Sequence, residues 1–186
     1  MSGPFATATE FCEWSGMAIP SDLARLQSLL DSASSLIRGY AGQTLSSVLN
    51  DTVTLYPRVG EFALFLPEHP VVAIDSVTVD GTLLASSKYV FEDMGEVVRI
   101  DGLAWIDDWT ESVVIQYDHG YAETSDEFKQ IKTVCMQVVK RAYTQDETGQ
   151  AISQGGIPID TAGFPMALFL TSAEEYMLPA TVAAVG

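Results

Sequence analysis

An imidazole beside a carboxylate is the pairing a hydrolase uses to hold a general base. The chain has it twice, at Glu68-His69 and at Asp118-His119. Neither placement suits catalysis. His69 sits at a turn before Pro70, and consecutive strand residues face opposite sides, so Asp118 cannot orient His119. The expected role of Asp118-His119-Gly120-Tyr121 is a strand-to-helix corner, with Tyr121 packing against the helix. Asp107 and Asp108, between Trp105 and Trp109, could attract a cation, but a calcium loop needs more oxygen ligands at fixed spacing, and a solvated turn is expected. Cys12 and Cys135 lie far apart with no CxxC or Cys/His partner, and Cys135 falls among apolar residues as an inert core thiol. No GxxxxGK[ST], GxGxxG, GxSxG or HExxH motif occurs. No catalytic residue, metal site or cofactor is therefore expected. The alternatives with chemistry are a small hydrolase using Asp118 and His119, or a ligand-binding module around Trp105 and Trp109.

Charge is the more informative signal. The 186 residues carry 25 acidic and 9 basic side chains, a formal charge of −16. Gripping nucleic acid needs Lys/Arg clusters that displace phosphate counterions, and no window supplies one. Residues 92–127 hold eleven acids, including Glu92, Asp93, Glu96, Asp107 and Asp108, against the single base Arg99. Such a surface either keeps the chain soluble or avoids adhering to a polyanion that passes close by. No apolar run reaches the roughly 18 residues that span a bilayer, and the N-terminus lacks the basic and apolar regions of a signal peptide. The chain reads as soluble and intracellular, with no membrane partner.

Periodicity supplies the elements. Thr7-Ala8-Thr9-Glu10 fits a capping box for a short helix over about 8–15, ending near Gly16. Leu23, Leu26, Leu29, Leu30, Ala33, Leu36, Ile37 and Tyr40 form one stripe on a helix over about 22–41, with Ser21 as N-cap and Gly42 as its stop. From about 51 to 118 the pattern alternates. Asp80-Gly81 and Asp93-Met94-Gly95 mark hairpins, and Val113, Ile115 and Tyr117 share one face of the last strand. Ser125 then caps a second long helix, about 125–144, striped by Phe128, Ile131, Val134, Cys135, Val138, Val139, Ala142 and Tyr143. The expected fold is α+β: two long antiparallel-packed helices carrying an inserted small antiparallel β-sheet or barrel-like module of five or six strands, and an extended C-terminal arm.

That arm, residues 146–186 beyond a domain of 1–145, is punctuated by Gly and Pro and contains no Lys or Arg. Yet it carries Phe164, Leu168, Phe169, Leu170, Tyr176, Met177 and Leu178. Disordered tails are polar, so an apolar one is expected to dock onto a partner through these anchors, with packing of the tail on its own domain as the alternative. Ser172-Ala173-Glu174-Glu175 fits a second capping box, for a short helix over about 172–178.

The order of segments is itself informative. DLARLQSLLDSASSLIRGYAG (Asp22–Gly42) precedes Leu66-Pro67, Pro70-Val71 and the Ser76–Gly81 strand. VIQYDHGY (Val114–Tyr121) then leads into the Asp126–Tyr143 helix. Over about 20–145, with an echo in Leu170–Leu178, the chain resembles the head-to-tail adaptor (head-completion) proteins of long-tailed double-stranded DNA bacteriophages, particularly those infecting actinobacteria. The resemblance implies a structural virion protein that forms a ring, commonly of twelve subunits, beneath the portal, made in the host cytoplasm and ending in the virion neck. Its implied partners are the portal protein, neighbouring adaptor subunits, and head-stopper or tail proteins, with DNA passing through unbound. The C-terminal segment would engage the portal. Given such a ring, the charge argument, not the resemblance, leads to the expectation that Glu92, Asp93, Glu96, Asp107 and Asp108 face the channel. The uncharged Val182–Gly186 departs from the basic end expected of such proteins. Another neck ring protein, a head stopper or tail terminator, is the alternative within the same particle.

Overall fold

A computed structural model describes residues 3–20, 23–106, 112–148 and 168–179. The described residues of Met1–Gly42 and Thr124–Thr181 form one compact unit, and those of Gln43–Glu123 a second.

The first unit is helical: α1 (Ala8–Ser15), α2 (Leu23–Ala41), α3 (Asp126–Thr148) and α4 (Ser172–Met177). α1 starts at the expected box. Thr7 Oγ1 accepts from the Glu10 N–H, the Glu10 carboxylate accepts from the Thr7 N–H at 2.8 Å, and Gly16 closes the helix in the left-handed conformation. Ser125 Oγ accepts from the Phe128 N–H at the start of α3, and Gly42 stops α2 with φ +68. The proposed cap Ser21 lies outside the described residues.

α2 and α3 run antiparallel, as successive contacts show. Arg25 lies 5.9 Å from the Tyr143 ring, Ser34 Oγ lies 3.5 Å from Cys135 Sγ, and Phe5 touches both Arg38 and Phe128. Leu26, Leu30, Ala33 and Ile37 are fully buried, as are Ile131, Val134, Cys135, Val138 and Val139. Burying each of the Leu, Ile and Val side chains among them contributes roughly 1.5–3 kcal/mol. Leu23 and Tyr40, at the ends of the α2 stripe, are exposed. Phe5 covers the pair near the start of α3, its N–H donating to Ser34 Oγ at 3.0 Å and its ring meeting Phe128 edge-on.

The second unit holds seven strands: β1 (Val48–Leu55), β2 (Ala63–Phe65), β3 (Val71–Val79), β4 (Thr82–Leu84), β5 (Tyr89–Phe91), β6 (Glu96–Arg99) and β7 (Val113–His119). They form two open antiparallel sheets, ordered β1-β7-β3-β4 and β2-β6-β5. No closed barrel forms among the described residues, because β2, β6 and β5 pair only with one another and not with the larger sheet. Asp80-Gly81 makes the β3–β4 hairpin, with φ +44 and +75. β1 begins earlier than alternation suggests, because Asn50 at φ +55 sits in a bulge between Val48 and Asp51 and breaks the period of two. Val77, Val97, Trp105, Val113, Ile115 and Tyr117 form the centre of this unit's core.

Candidate assembly surfaces

The described part of the arm is folded onto its own chain. The capping box of α4 is set at Thr171 rather than Ser172: Thr171 Oγ1 accepts from the Glu174 N–H, and the Glu174 carboxylate accepts from the Thr171 N–H at 2.7 Å. The same carboxylate takes a two-pronged contact from Arg141 on α3, Nη1 donating at 2.9 and 3.1 Å. Arg141 Nη2 donates to the Phe169 carbonyl, and the guanidinium lies 4.5 Å from the Phe169 ring centroid. Burial pushes the Glu174 carboxyl upward, but the Thr171 and Arg141 hydrogen bonds outweigh it and hold its pKa below the usual carboxylate range.

Of the seven apolar arm residues, Tyr176 is 92% exposed, Met177 and Phe169 are partly exposed, and Leu168 and Leu170 are half-buried. Leu178 is buried in the unit's own packing. Phe164 lies outside the described residues.

The acidic set divides similarly. Glu92 and Asp93 are exposed and Glu96 is half-buried. Their turn is fixed by main-chain bonds: Val71 N–H to Asp93 O at 2.7 Å, Leu66 N–H to Gly95 O at 2.9 Å, and Glu92 N–H to Glu96 O at 3.0 Å. These carboxylates thus project from a rigid hairpin. Asp107 and Asp108 lie outside the described residues.

The Asp118–Tyr121 corner is structural. Asp118 accepts from the Asn50 N–H at 2.8 Å, on the side away from His119, as strand alternation requires. His119 is instead 3.1 Å from Asp51, 68 positions away, and its ring stacks at 5.0 Å on Tyr117. The imidazole is 2% exposed, which leaves no approach for a substrate. The neighbouring Tyr117 hydroxyl is pushed up to about 12, by burial first and then by the charges of Asp51 and Glu68. Gly120, at φ +85, lets the chain pass close to Ser46, where Tyr121 N–H donates to Leu45 O and Ser47 N–H to Tyr121 O. Trp105 is no ligand platform: it is fully buried, with its indole N–H on the Phe62 carbonyl at 2.8 Å.

Sequence reading missed one apolar face. Ala63, Val98 and Val90 share a row across β2-β6-β5, and Phe65, two residues from Ala63, is 68% exposed. The runs are too short for alternation to show which side is covered. Among the described residues, no cluster of His, Cys, Asp and Glu could hold a metal ion, and no helix is long and apolar enough to cross a membrane.

Comparisons with known proteins bear on these surfaces. Three solved assemblies contain chains of similar fold. One is the neck of an empty gene transfer agent (GTA) particle, computed with C6 symmetry (TM-score 0.57, 17% identity, 99% of this chain and 95% of that one). The others are the neck of a native GTA particle with C12 symmetry (0.51, 14%, 88% and 91%) and a native GTA virion (0.53, 18%, 99% and 95%). No curated protein matches the chain. The family model for the head completion protein matches residues 4–163, and the chain belongs to that family.

Proposed function

We propose that this chain is a head-to-tail adaptor, a structural protein whose copies form a ring in the neck of a tailed phage-like particle, beneath the portal and above head-stopper or tail components. The observation that carries this reading is the head-completion match running through both units, residues 4–163. The similarly folded chains in necks with C6 and C12 symmetry support a ring. In this reading residues 146–186 are a docking arm toward the portal, with Tyr176 and Met177 as its presented anchors. The hairpin acids Glu92, Asp93 and Glu96, together with Asp107 and Asp108, face the DNA conduit.

Electrostatics fits that assignment. Each phosphate contact would resist DNA passage, so a conduit should be non-adhesive. Twelve copies of a −16 chain carry on the order of 190 negative charges. At physiological salt the screening length is about 8 Å, so only acids close to the bore act on the duplex.

The test is co-purification with the portal protein of the same particle. The full chain should be retained, and a chain ending at Gln145 should lose most of that affinity while circular dichroism reports retained helix and sheet. Tyr176→Ala with Met177→Ala in the full chain should weaken binding similarly. Undiminished binding by the shortened chain refutes the docking arm.

A further inference from the structure

A six-residue helix has little stability of its own, since isolated helices shorter than about 12–15 residues are marginal in water. α4 is nevertheless formed, and the contacts that order it converge on one carboxylate. Glu174 closes the capping box with Thr171 and at the same time receives the Arg141 fork, while remaining 5% exposed. Arg141 also holds the Phe169 carbonyl and covers the Phe169 ring, and Leu178 is buried at the far end. Everything on the inner side of this turn is tied down. On its outer side Tyr176 is 92% exposed, next to Met177.

We propose that Arg141 and Glu174 form a latch that keeps α4 on the chain's own α3 as a ready-made docking epitope, presenting Tyr176 to an apolar socket with a basic rim. The proposal rests on the docking-arm reading and adds its mechanism. Tyrosine is a low-entropy anchor, suited to a hot spot that fills a pocket. No Lys or Arg follows Arg141 in the sequence, and Arg141 already answers Glu174, so the half-buried Glu175 is the charge next to Tyr176 in the chain. Complementarity therefore calls for Lys or Arg around the socket. Holding the helix in place before contact removes an ordering cost that a loose segment would bear on binding. Arg141 and Glu174 are thus positioning residues, acting through Tyr176.

The test uses the full-length chain and the purified portal ring of the same particle, with two readouts. Amide exchange at Glu175 and Leu178, which donate to Thr171 O and Glu175 O, reports the latch without any partner. Affinity for the portal ring reports the epitope. Glu174→Gln should lose amide protection and bind about tenfold more weakly. Tyr176→Ala should keep protection and also bind about tenfold more weakly. Arg141→Ala, which leaves the Thr171–Glu174 capping box in place and removes only the clamp from α3, should lose part of both. Lost protection with unchanged or tighter binding overturns the proposal, as does protection that survives Glu174→Gln. Equal binding by the full chain and one ending at Gln145 refutes the docking arm itself, a result distinct from either.

Discussion

Replacing Gly120 by alanine puts the corner after β7 to a quantitative test. The added Cβ would lie 2.3 Å from the Ser46 carbonyl oxygen, 2.7 Å from its carbon and 3.1 Å from the Ser47 nitrogen, all main-chain atoms that cannot rotate aside. Ordinary contact requires a retreat of about 1 Å. That movement pulls on three main-chain hydrogen bonds: Ser47 N–H to Tyr121 O, Tyr121 N–H to Leu45 O, and Gly120 N–H to Pro70 O. Each contributes about 1 kcal/mol. The φ of +85 adds left-handed strain of about 1–2 kcal/mol. Gly120→Ala should therefore destabilise by about 3–5 kcal/mol, a large part of a typical domain's margin. Gly102 is the control: its φ is +80, with nothing within 4 Å of an added Cβ, so Gly102→Ala should cost only the strain, about 1–2 kcal/mol. Denaturant unfolding of both variants measures the difference. Midpoints implying less than about 1 kcal/mol between them would refute the clash as the reason for glycine there.

Further expectations concern charge, thiols and acid. Both cysteines are buried, and burial pushes the Cys135 thiol up to about 11, so iodoacetamide at neutral pH should label Cys135 only after unfolding; rapid native labelling contradicts its placement. The Lys132 hydrogen bond, together with the Thr7 cap, holds Glu10 below the usual carboxylate range, and Glu174 is lowered too. Both groups thus stabilise the helical unit above the unfolded carboxylate value of about 4.3, and that contribution disappears as pH falls through their folded values. Protection at Glu175 and Leu178 should hold from neutral pH to about 5 and be lost only as pH falls through the lowered folded value of Glu174, whereas loss above 5 contradicts the assignment. Glu92→Lys with Asp93→Lys, on an exposed hairpin, should change stability by no more than about 0.5 kcal/mol yet slow DNA ejection from assembled particles; unchanged ejection removes these acids from the conduit wall.

Local signals were legible where local physics decides. The α2 and α3 stripes, the Thr7–Glu10 box and the Asp80-Gly81 turn are each set by a few neighbouring residues, and each appears as expected. Pairings across long separations were not legible. Nothing near His119 announces Asp51, and nothing near Arg141 announces Glu174, 33 positions away. At the α4 boundary a distant pairing and a local choice coincide. Thr171 and Ser172 both have a glutamate three residues on, and the contact of Glu174 with Arg141 accompanies the cap at Thr171. Phe5 is not legible as a core residue, because a single aromatic ahead of a helix has no period. Arm residues were readable as apolar, but only the fold separates Leu178, which is buried, from Tyr176, which is exposed.

Imaging the neck of particles that contain this chain is the most direct measurement. The chain should appear as a closed ring between the portal and the tail, its arms reaching toward the portal and the Glu92–Glu96 hairpins turned to the bore. Particles whose neck lacks the chain, or that hold it as isolated copies away from the DNA path, would contradict the adaptor reading.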